Sequence, residues 1–396
     1  MTFLWPLIAL VLLGGGIFYV SRRLITPFQL PKVGRIAARI TLALVMILPI
    51  VAMVLIRRGG AWTIPLAWVA FIALGFLSLT VTLLVVRDVL ALGFGLMKRL
   101  PVRVRPAADP PADPARRRFL IQAANLGVMG AAGALTGYGV YEARKRPDVV
   151  RMTLPVRNLP AAFDGFRIVQ ITDVHAGLTI HRDWIESVVD EAKGLQADLI
   201  AFTGDMVDGS VAQLRNDVEP LGQLDAPHGK FFVTGNHEYY SGVEQWVEEA
   251  RRLGYAVLLN EHVLIERGDD AFVLAGVTDY TGGQFLPSHR SDPAKALEGA
   301  PGNMPRILLA HQPRTLEQTA DLGVDVMLTG HTHGGQFIPW NLLATLGQPY
   351  IRGLHNHRGT WIYVSKGTGY WGPPVRVGAR SEITVVTLAT EIAKIA

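Results

Sequence analysis

The sequence predicts an α/β domain that follows a set of membrane-spanning helices. Hydrophobic residues make up 49% of the 396-residue chain and charged residues only 18%, which is more apolar than an ordinary soluble enzyme. From residue 163 onward, long apolar runs give way to short strand-like segments that alternate with amphipathic ones. A chain of this length is also expected to contain two or three parts.

Charge divides the chain in the same way. Residues 1–150 hold 18 Lys and Arg against 5 Asp and Glu, whereas the remainder holds 20 against 28. Basic residues beside apolar segments are typical of loops that flank membrane spans. The acidic C-terminal part gives no electrostatic reason to expect nucleic-acid binding. The chain has no cysteine, so any metal must be bound through nitrogen and oxygen ligands.

Three apolar runs open the chain, at residues 3–20, 40–56 and 61–86. Each is long enough to cross the hydrocarbon layer as a helix, which takes ~17–25 residues. Trp62 and Trp68 lie near the start of the third run, where interfacial aromatic residues are common. We therefore predict a three-helix transmembrane region over residues 1–97.

A Pro/Ala/Arg-rich stretch at residues 98–118 is predicted to be a flexible linker. A fourth apolar run at residues 119–140 is weaker, because glycine and alanine dominate it and two amide side chains interrupt it. The arginine triplet at residues 116–118 resembles the start of a twin-arginine export signal. Residues 119–145 are thus predicted to be either a membrane helix or such a signal, and residues 146–162 a connector.

Residues 163–396 are predicted to form the α/β domain, with amphipathic helical segments such as 184–195 and 243–253 between the strands. The strand-like runs are residues 166–172, 199–203, 231–234, 271–275, 307–310, 361–365 and 383–388. Several are apolar at every position, as strands covered on both faces should be.

Five polar motifs stand at or just after the ends of apolar strands. They are Asp173-x-His175, Gly204-Asp205, Gly235-Asn236-His237-Glu238, His311 and Gly330-His331-Thr332-His333. The ends of strands are where α/β folds gather their functional sites. In an extended segment, the two histidines of the last motif would point to the same side. Each motif alone is weak, but their order after successive strands favours one common site.

These motifs resemble those of the calcineurin-like metallophosphoesterase family, over about residues 163–390. The Gly334-Gly335-Gln336 sequence that follows them resembles the bacterial membrane-associated phosphodiesterase branch of that family. The resemblance implies an α/β/β/α fold, in which two packed β-sheets are flanked by helices.

The resemblance also implies a dinuclear metal centre and its ligands. Asp173, His175 and His333 would hold one ion, Asn236, His311 and His331 would hold the second, and Asp205 would bridge the two. His237 would be a catalytic residue that faces the substrate and its leaving group, without binding a metal.

The residue types suit that chemistry. Imidazole and carboxylate ligands favour Mn, Fe or Zn ions. Two divalent ions outweigh two carboxylates and attract a phosphoryl anion, and a carboxylate bridge holds them ~3.5–4 Å apart, so that a bridging hydroxide can attack phosphorus in line. Protonated His237 can stabilise the developing charge and protonate the leaving oxygen.

Other polar residues are better explained by local structure. His181 and Asp183 suit a helix start, and Glu238 either orients His237 or caps the next helix. His355 and His357 are predicted to lie in a surface loop, although they could also line the substrate pocket.

The predicted function is hydrolysis of a phosphodiester or pyrophosphate bond by a membrane-anchored dinuclear metalloenzyme. Candidate substrates are a phospholipid, a glycolipid precursor and a lipid-linked nucleotide, because a short connector would hold the site near the bilayer. The alternative is a non-catalytic membrane scaffold or sensor with the same fold. Such proteins usually lose ligand positions, and none is lost here.

The catalytic domain is predicted to lie on the extracytoplasmic face of the cell membrane. Residues 21–39 carry five Lys and Arg and residues 87–118 carry eight, against two at residues 57–58. The segments between apolar runs that carry more Lys and Arg are expected in the cytoplasm. With four crossings, the chain would then lie outside after residue 140.

Overall fold

The structure is a computed structural model that describes residues 14–56, 62–97 and 113–390. The chain divides into two compact units, Met1–Val140 and Tyr141–Ala396.

Three helices of the described chain are long and apolar enough to cross a membrane. They are α1 (Lys32–Ile56), α2 (Thr63–Met97) and α3 (Pro114–Arg144). These helices contain the second and fourth predicted apolar runs and the third run from Thr63 onward, and they extend beyond the runs into flanking residues, because leucine, lysine and arginine favour helix as well. Residues 14–20 are also helical, but most of the first run lies outside the described residues.

The predicted linker is only partly described. Residues 98–112 lie outside the described part of the chain, whereas residues 114–118 form the first turn of α3. Pro114 begins this helix, at the position where proline costs no hydrogen bond. The arginine triplet therefore belongs to the same helix as the apolar run that follows it.

Polar side chains join the elements of the first unit. Asp88 of α2 accepts a hydrogen bond from the Tyr19 hydroxyl at 2.8 Å and pairs with Arg23 Nε at 2.7 Å. Asn125 Nδ2 of α3 donates to Arg23 O at 2.7 Å. Arg118 Nη1 donates to Gln29 Oε1 at 2.8 Å. The basic joint at residues 21–39 thus contacts both the late part of α2 and the early part of α3.

The second unit contains two six-stranded sheets. The first is built from β1 (Asp148–Pro155), β2 (Arg167–Ile171), β3 (Leu199–Phe202), β4 (Lys230–Phe232), β5 (Ala256–Val257) and β12 (Glu382–Ala389), in the order β1-β12-β2-β3-β4-β5. The second is built from β6 (Glu261–Arg267), β7 (Asp270–Gly276), β8 (Arg306–Leu309), β9 (Val326–Thr329), β10 (Gly353–His357) and β11 (Thr360–Val364), in the order β10-β11-β9-β8-β7-β6.

The helices described in the second unit are α4 (Arg182–Lys193), α5 (Val211–Val218), α6 (Asn236–Ser241), α7 (Val243–Arg252), α8 (Pro293–Ala296) and α9 (Trp340–Ala344). All except α9 contribute residues to the cores on the outer faces of the two sheets. One hydrophobic core contains inward residues of both sheets, such as Ile168 of β2 and Leu274 of β7, so the sheets pack face to face. Val169 points the other way, into a second core that α4, α5 and α7 cover.

A third core lies under α8, on the outer face of the second sheet. Each central strand is therefore buried on both faces, which explains its uninterrupted apolar sequence. The layers are helix, sheet, sheet, helix, as the fold prediction requires.

The predicted connector at residues 146–162 contains a strand. Strand β1 pairs in parallel with β12 over eight residues, from Asp148 opposite Glu382 to Pro155 opposite Ala389. Sequence pattern missed β1 because it is an edge strand whose side chains are mostly half-exposed, including the charged Arg151. Since α3 ends at Arg144, only residues 145–147 separate this helix from the sheet.

The central strands place the motifs at one edge. Strands β2, β3 and β4 run parallel to one another, and β7, β8 and β9 do the same in the other sheet. The carboxyl ends of parallel strands meet at the same edge of a sheet. All five sequence motifs follow these ends.

Candidate metal centre

One group of possible ligands comprises Asp173, His175 and His333, all buried and mutually within 4.8 Å. The Nε2 atoms of His175 and His333 lie 3.0 Å apart. Asp173 Oδ1 is 3.5 Å from His333 Nε2. The loop after β2 supplies the first two residues, and the loop after β9 supplies the third.

A second group comprises Asp205, His311 and His331. Asp205 Oδ2 lies 3.0 Å from His311 Nε2, and His331 Nδ1 lies 3.2 Å from the same nitrogen. Asn236 Oδ1 is also 3.2 Å from His311 Nε2. Asp205 Oδ2 is in addition 3.6 Å from His175 Nε2, so this carboxylate faces both groups.

The structure thus brings together all seven residues predicted to bind metal, and His237 with them. Their division between two ions stays a prediction. Asp205 holds the position between the groups that a shared ligand needs.

The backbone of five ligand residues is left-handed. The φ angles are 54° at Asp173, 51° at His175, 55° at Asp205, 71° at His331 and 51° at His333. A non-glycine residue in this conformation costs of order ~1–3 kcal/mol, and such residues cluster at functional sites. The sharp turns aim each side chain inward immediately after its strand ends.

Two glycines leave room for these carboxylates. A Cβ at Gly235 would lie 2.2 Å from Asp205 Oδ1, and one at Gly330 would lie 2.1 Å from Asp173 Oδ2. No side chain fits at either position without displacing a carboxylate of the site.

Hydrogen bonds set two histidines in the tautomer that a ligand needs. His311 Nδ1 donates to Thr203 O at 2.8 Å, and His175 Nδ1 donates to Asp208 Oδ1 at 3.1 Å. With both Nδ1 atoms protonated, the Nε2 lone pairs face the ligand groups. Burial and the neighbouring His311 lower the pKa of His331 to about 3, so this imidazole is neutral and free to coordinate. Four imidazoles, two carboxylates and an amide oxygen fit divalent Mn, Fe or Zn.

Asp208 joins the site, although the sequence motifs did not include it. Its carboxylate contacts Nδ1 of His175 and Nδ1 of His237. Burial raises the pKa of Asp208, but the two histidines outweigh burial and hold this pKa well below its usual range. The one available signal was its position three residues after Asp205, in the same loop.

His237 lies beside the ligand groups, with Nε2 4.0 Å from Asp205 Oδ2. Burial lowers its pKa, but the carboxylates of Asp205 and Asp208 raise it to a net value of about 9. The imidazole is therefore protonated at neutral pH. Because the Nδ1–H of His237 is hydrogen-bonded to Asp208, the Nε2–H is the donor that can contact a substrate.

Glu238 has a structural role. Its buried carboxylate accepts hydrogen bonds from the backbone N–H groups of Asp205, Met206 and Gly235, at 3.0, 2.8 and 2.7 Å. It caps α6 and at the same time fixes the loop that carries Asp205. Of the two interpretations of Glu238 from sequence, the cap agrees with this geometry.

Arg376 is a second residue that sequence patterns missed. This fully buried guanidinium donates to Gly369 O at 3.0 Å, Ala379 O at 2.7 Å and Lys366 O at 2.7 Å. Its Nη2 lies 3.2 Å from His333 Nδ1. Arg376 therefore holds the loop after β11 against the imidazole of a predicted ligand.

The histidines set aside in the sequence analysis lie outside the two ligand groups. His355 stacks on Tyr350 with ring centroids 4.1 Å apart, and His357 Nδ1 lies 3.1 Å from the Tyr350 hydroxyl. The loop predicted around them is strand β10. His181 precedes α4 at its N-cap position, as expected, but its side chain makes no capping hydrogen bond.

Comparison with known proteins agrees with this geometry. Residues 166–335 match the family model of the calcineurin-like phosphoesterases. A transmembrane protein with metallophosphoesterase domain from Danio rerio is 39% identical over 262 residues, which cover 64% of this chain and 60% of that protein. A metallophosphoesterase of Helicobacter pylori strain J99 is 36% identical over 283 residues, which cover 69% of this chain and 73% of that protein.

Among solved structures, the 5′-nucleotidase precursor from Thermus thermophilus is similar, with a TM-score of 0.37 and 16% identity over 56% of this chain and 54% of that chain. The chain belongs to the calcineurin-like metallophosphoesterase family, a class of metal-dependent phosphoric ester hydrolases. The predicted family and fold are thereby confirmed. The matched part spans 60% of the length of the Danio rerio relative.

Proposed function

We propose that this chain is a membrane-anchored phosphoesterase with two divalent ions, which hydrolyses a phosphodiester or pyrophosphate bond. The observation that supports it most is the convergence of all seven predicted ligands at one edge of the two sheets. Asp173, His175 and His333 would hold one ion, and Asn236, His311 and His331 the other, with Asp205 shared. When bound, such ions supply Lewis acidity and lower the pKa of coordinated water.

His237 supplies the proton in this proposal. Asp208 orients the ring, and its charge raises the pKa of the imidazole. The free Nε2–H can then stabilise negative charge on a phosphoryl oxygen or protonate the leaving oxygen. The complete ligand set and this charged imidazole support an enzyme over a non-catalytic scaffold, which needs neither.

The substrate class follows from the attachment of the site to a membrane helix. With three residues between α3 and β1, the second unit is held close to the end of an apolar helix. We therefore favour a membrane-borne phosphoester, such as a phospholipid, a glycolipid precursor or a lipid-linked nucleotide.

We also propose that the catalytic unit lies outside the cytoplasm. The contacts of Arg23 with Asp88 and of Gln29 with Arg118 support the positive-inside assignment, because they bring the basic joint 21–39 together with both described ends of the joint 87–118. The chain leaves α3 at the opposite end. The basic residues at 144–146 are fewer than the eight at 87–118.

A reporter fusion tests this orientation. Alkaline phosphatase joined after residue 146, before β1 begins, is expected to be active, and β-galactosidase joined there inactive. Changing residues 116–118 to lysine separates the two interpretations of α3, since loss of export by that change alone indicates a twin-arginine signal. A silent alkaline phosphatase fusion would place the catalytic unit in the cytoplasm.

The enzymatic proposal is tested on the full chain in detergent. Metal analysis is expected to find two divalent ions per chain, and added Mn²⁺ is expected to support turnover of bis-p-nitrophenyl phosphate. A protein that binds two ions and hydrolyses neither this diester nor a pyrophosphate would instead support the scaffold. A chain that binds no ion would contradict both the centre and the activity.

A further inference from the structure

An exposed apolar loop begins directly after Gln336, which follows the histidine motif at residues 330–333. We define the apolar loop as residues 337–350, which include α9. Residues 334–351 contain no Asp, Glu, Lys or Arg. Phe337 is buried, but most of the large side chains that follow it are exposed, and Leu346 is 83% exposed and Leu342 63% exposed. Short uncharged segments with Trp and Leu are typical of surfaces that enter the membrane interface.

Apolar exposure in the second unit is concentrated at this place. Of the eleven large hydrophobic residues exposed within residues 141–390, five lie within nine consecutive positions, 338–346. Scattered exposed leucines are normal in soluble domains, but a cluster of this kind marks an interaction surface.

The apolar loop is tied to the metal centre at both ends. At its start, Gln336 donates from Nε2 to Trp371 O at 3.0 Å and accepts from Trp371 N at 2.7 Å. At its end, Thr332 Oγ1 of the histidine motif donates to Ile351 O at 2.6 Å. Trp371 is itself half-exposed and lies 5.6 Å from the His237 ring, measured between centroids. A molecule that covers the loop would therefore lie beside the proposed acid.

Contacts within the second unit also lead from the last residue of α3 towards the apolar loop. Within the second unit, Arg144 Nη1 at the end of α3 donates to Thr179 O at 3.0 Å. The Tyr370 hydroxyl donates to that same carbonyl at 3.3 Å. Tyr370 precedes Trp371, which Gln336 joins to the apolar loop. A continuous series of contacts thus connects the point where α3 ends to the apolar loop.

From these observations we propose that the apolar loop is a docking surface for the lipid bilayer, which brings the metal centre to phosphoesters held in the lipid surface. The occupant is a bilayer, because the loop carries no charge and a series of contacts within the second unit connects it to Arg144, where an apolar helix of the same chain ends. The effect on catalysis depends on the proposed phosphoesterase function, whereas the docking itself does not.

The docking is tested with the full chain in nanodiscs of phosphatidylethanolamine and phosphatidylglycerol. Because the chain has no cysteine, Leu346→Cys carries a single nitrobenzoxadiazole label without background. Asp269→Cys is the matched control, in an exposed turn between β6 and β7 of the same unit. The label at 346 is expected to emit at shorter wavelength and to be quenched by doxyl-labelled lipid, and the label at 269 to behave as in water.

Equal emission at the two positions would overturn the proposal. A blue shift at 346 without quenching by lipid would overturn it as well, because a second copy or another part of the chain would then cover the loop. Leu342→Cys repeats the measurement and guards against a local disturbance at one position.

The consequence for catalysis is tested with two substrates that share a leaving group, ethyl and hexadecyl p-nitrophenyl phosphate, the latter embedded in the nanodiscs. The Leu342→Glu/Leu346→Glu variant is expected to lose at least tenfold in turnover of the hexadecyl ester and to keep its turnover of the ethyl ester. Equal loss on both esters would contradict a role in presentation. If the unaltered chain cleaves neither ester, the proposed function fails, and the labelling result still decides the docking.

Discussion

The two sheets contribute different chemistry to the same site. The loops of the first sheet supply both predicted ligand carboxylates, Asp173 and Asp205, and also Asp208 and the charged His237. The loops of the second sheet supply three of the predicted imidazole ligands, His311, His331 and His333, and none of the predicted carboxylate ligands. The negative charge that would face the ions thus comes from the first sheet. Substitutions in the two sets should therefore fail in different ways.

The largest effect is expected for Asp205→Asn. This change removes a carboxylate that faces both ligand groups. It is therefore expected to weaken the binding of both ions and to abolish turnover. Metal content and the hydrolysis rate of bis-p-nitrophenyl phosphate measure the effect. Asp269→Asn, in an exposed turn, is the matched control and is expected to change neither quantity.

His331→Ala is compared with Asp205→Asn, because it removes a neutral imidazole supplied by the second sheet in place of a carboxylate supplied by the first. We expect it to retain about one ion per chain, since the group of Asp173, His175 and His333 stays intact. If Asp205→Asn and His331→Ala lost the same number of ions, the distinction between the sheets would be wrong.

His237→Ala is expected to slow turnover by ~10²-fold or more, as removal of a general acid does. Metal content should stay unchanged, because the seven ligands are other residues. The comparison would fail if this variant lost its ions together with its activity, since His237 would then act as a ligand.

Asp208→Asn is expected to reduce turnover by ~10–100-fold, the usual cost of losing a residue that orients a ligand. The carboxylates raise the pKa of His237 from 6.5 to about 9, so removing one lowers this pKa. Since protonated His237 is the active form, the alkaline limb of the pH–rate profile should move to lower pH. An unshifted alkaline limb would show that Asp208 only supports His175.

The smallest effect on turnover is expected for Arg376→Lys, which keeps the charge but loses hydrogen bonds to three carbonyls. We expect a loss of about 1–3 kcal/mol in unfolding free energy, measured by chemical denaturation. Metal affinity should fall by ~10-fold, because His333 loses its support. Arg358→Lys, exposed beyond β10, is the control. Reduced stability with unchanged metal affinity would limit Arg376 to a structural role.

Much of the fold, and the meeting of the candidate ligands at one edge of the sheets, could be predicted from sequence because the signals are local. The apolar runs at 40–56 and 119–140, and the run at 61–86 from Thr63 onward, each lie within one helix, and a helix satisfies its backbone within its own segment. The strands that carry the motifs are buried on both faces, so they show as apolar runs in any sequence window. Asp173, Asp205 and His331 could be found because each directly follows such a strand.

The tertiary structure alone decided what depends on distant partners. Strand β1 is identified by its pairing with β12, near the other end of the sequence. Its own sequence is that of a half-exposed edge strand. Asp208 gains its role from two histidines on different loops, and Arg376 from carbonyls that only the folded loop after β11 presents. The apolar loop could not be interpreted before a series of contacts connected Arg144, through Thr179, Tyr370 and Trp371, to Gln336 at the start of the loop. Such roles arise from side chains that meet across the fold, and a sequence pattern records neighbours along the chain only.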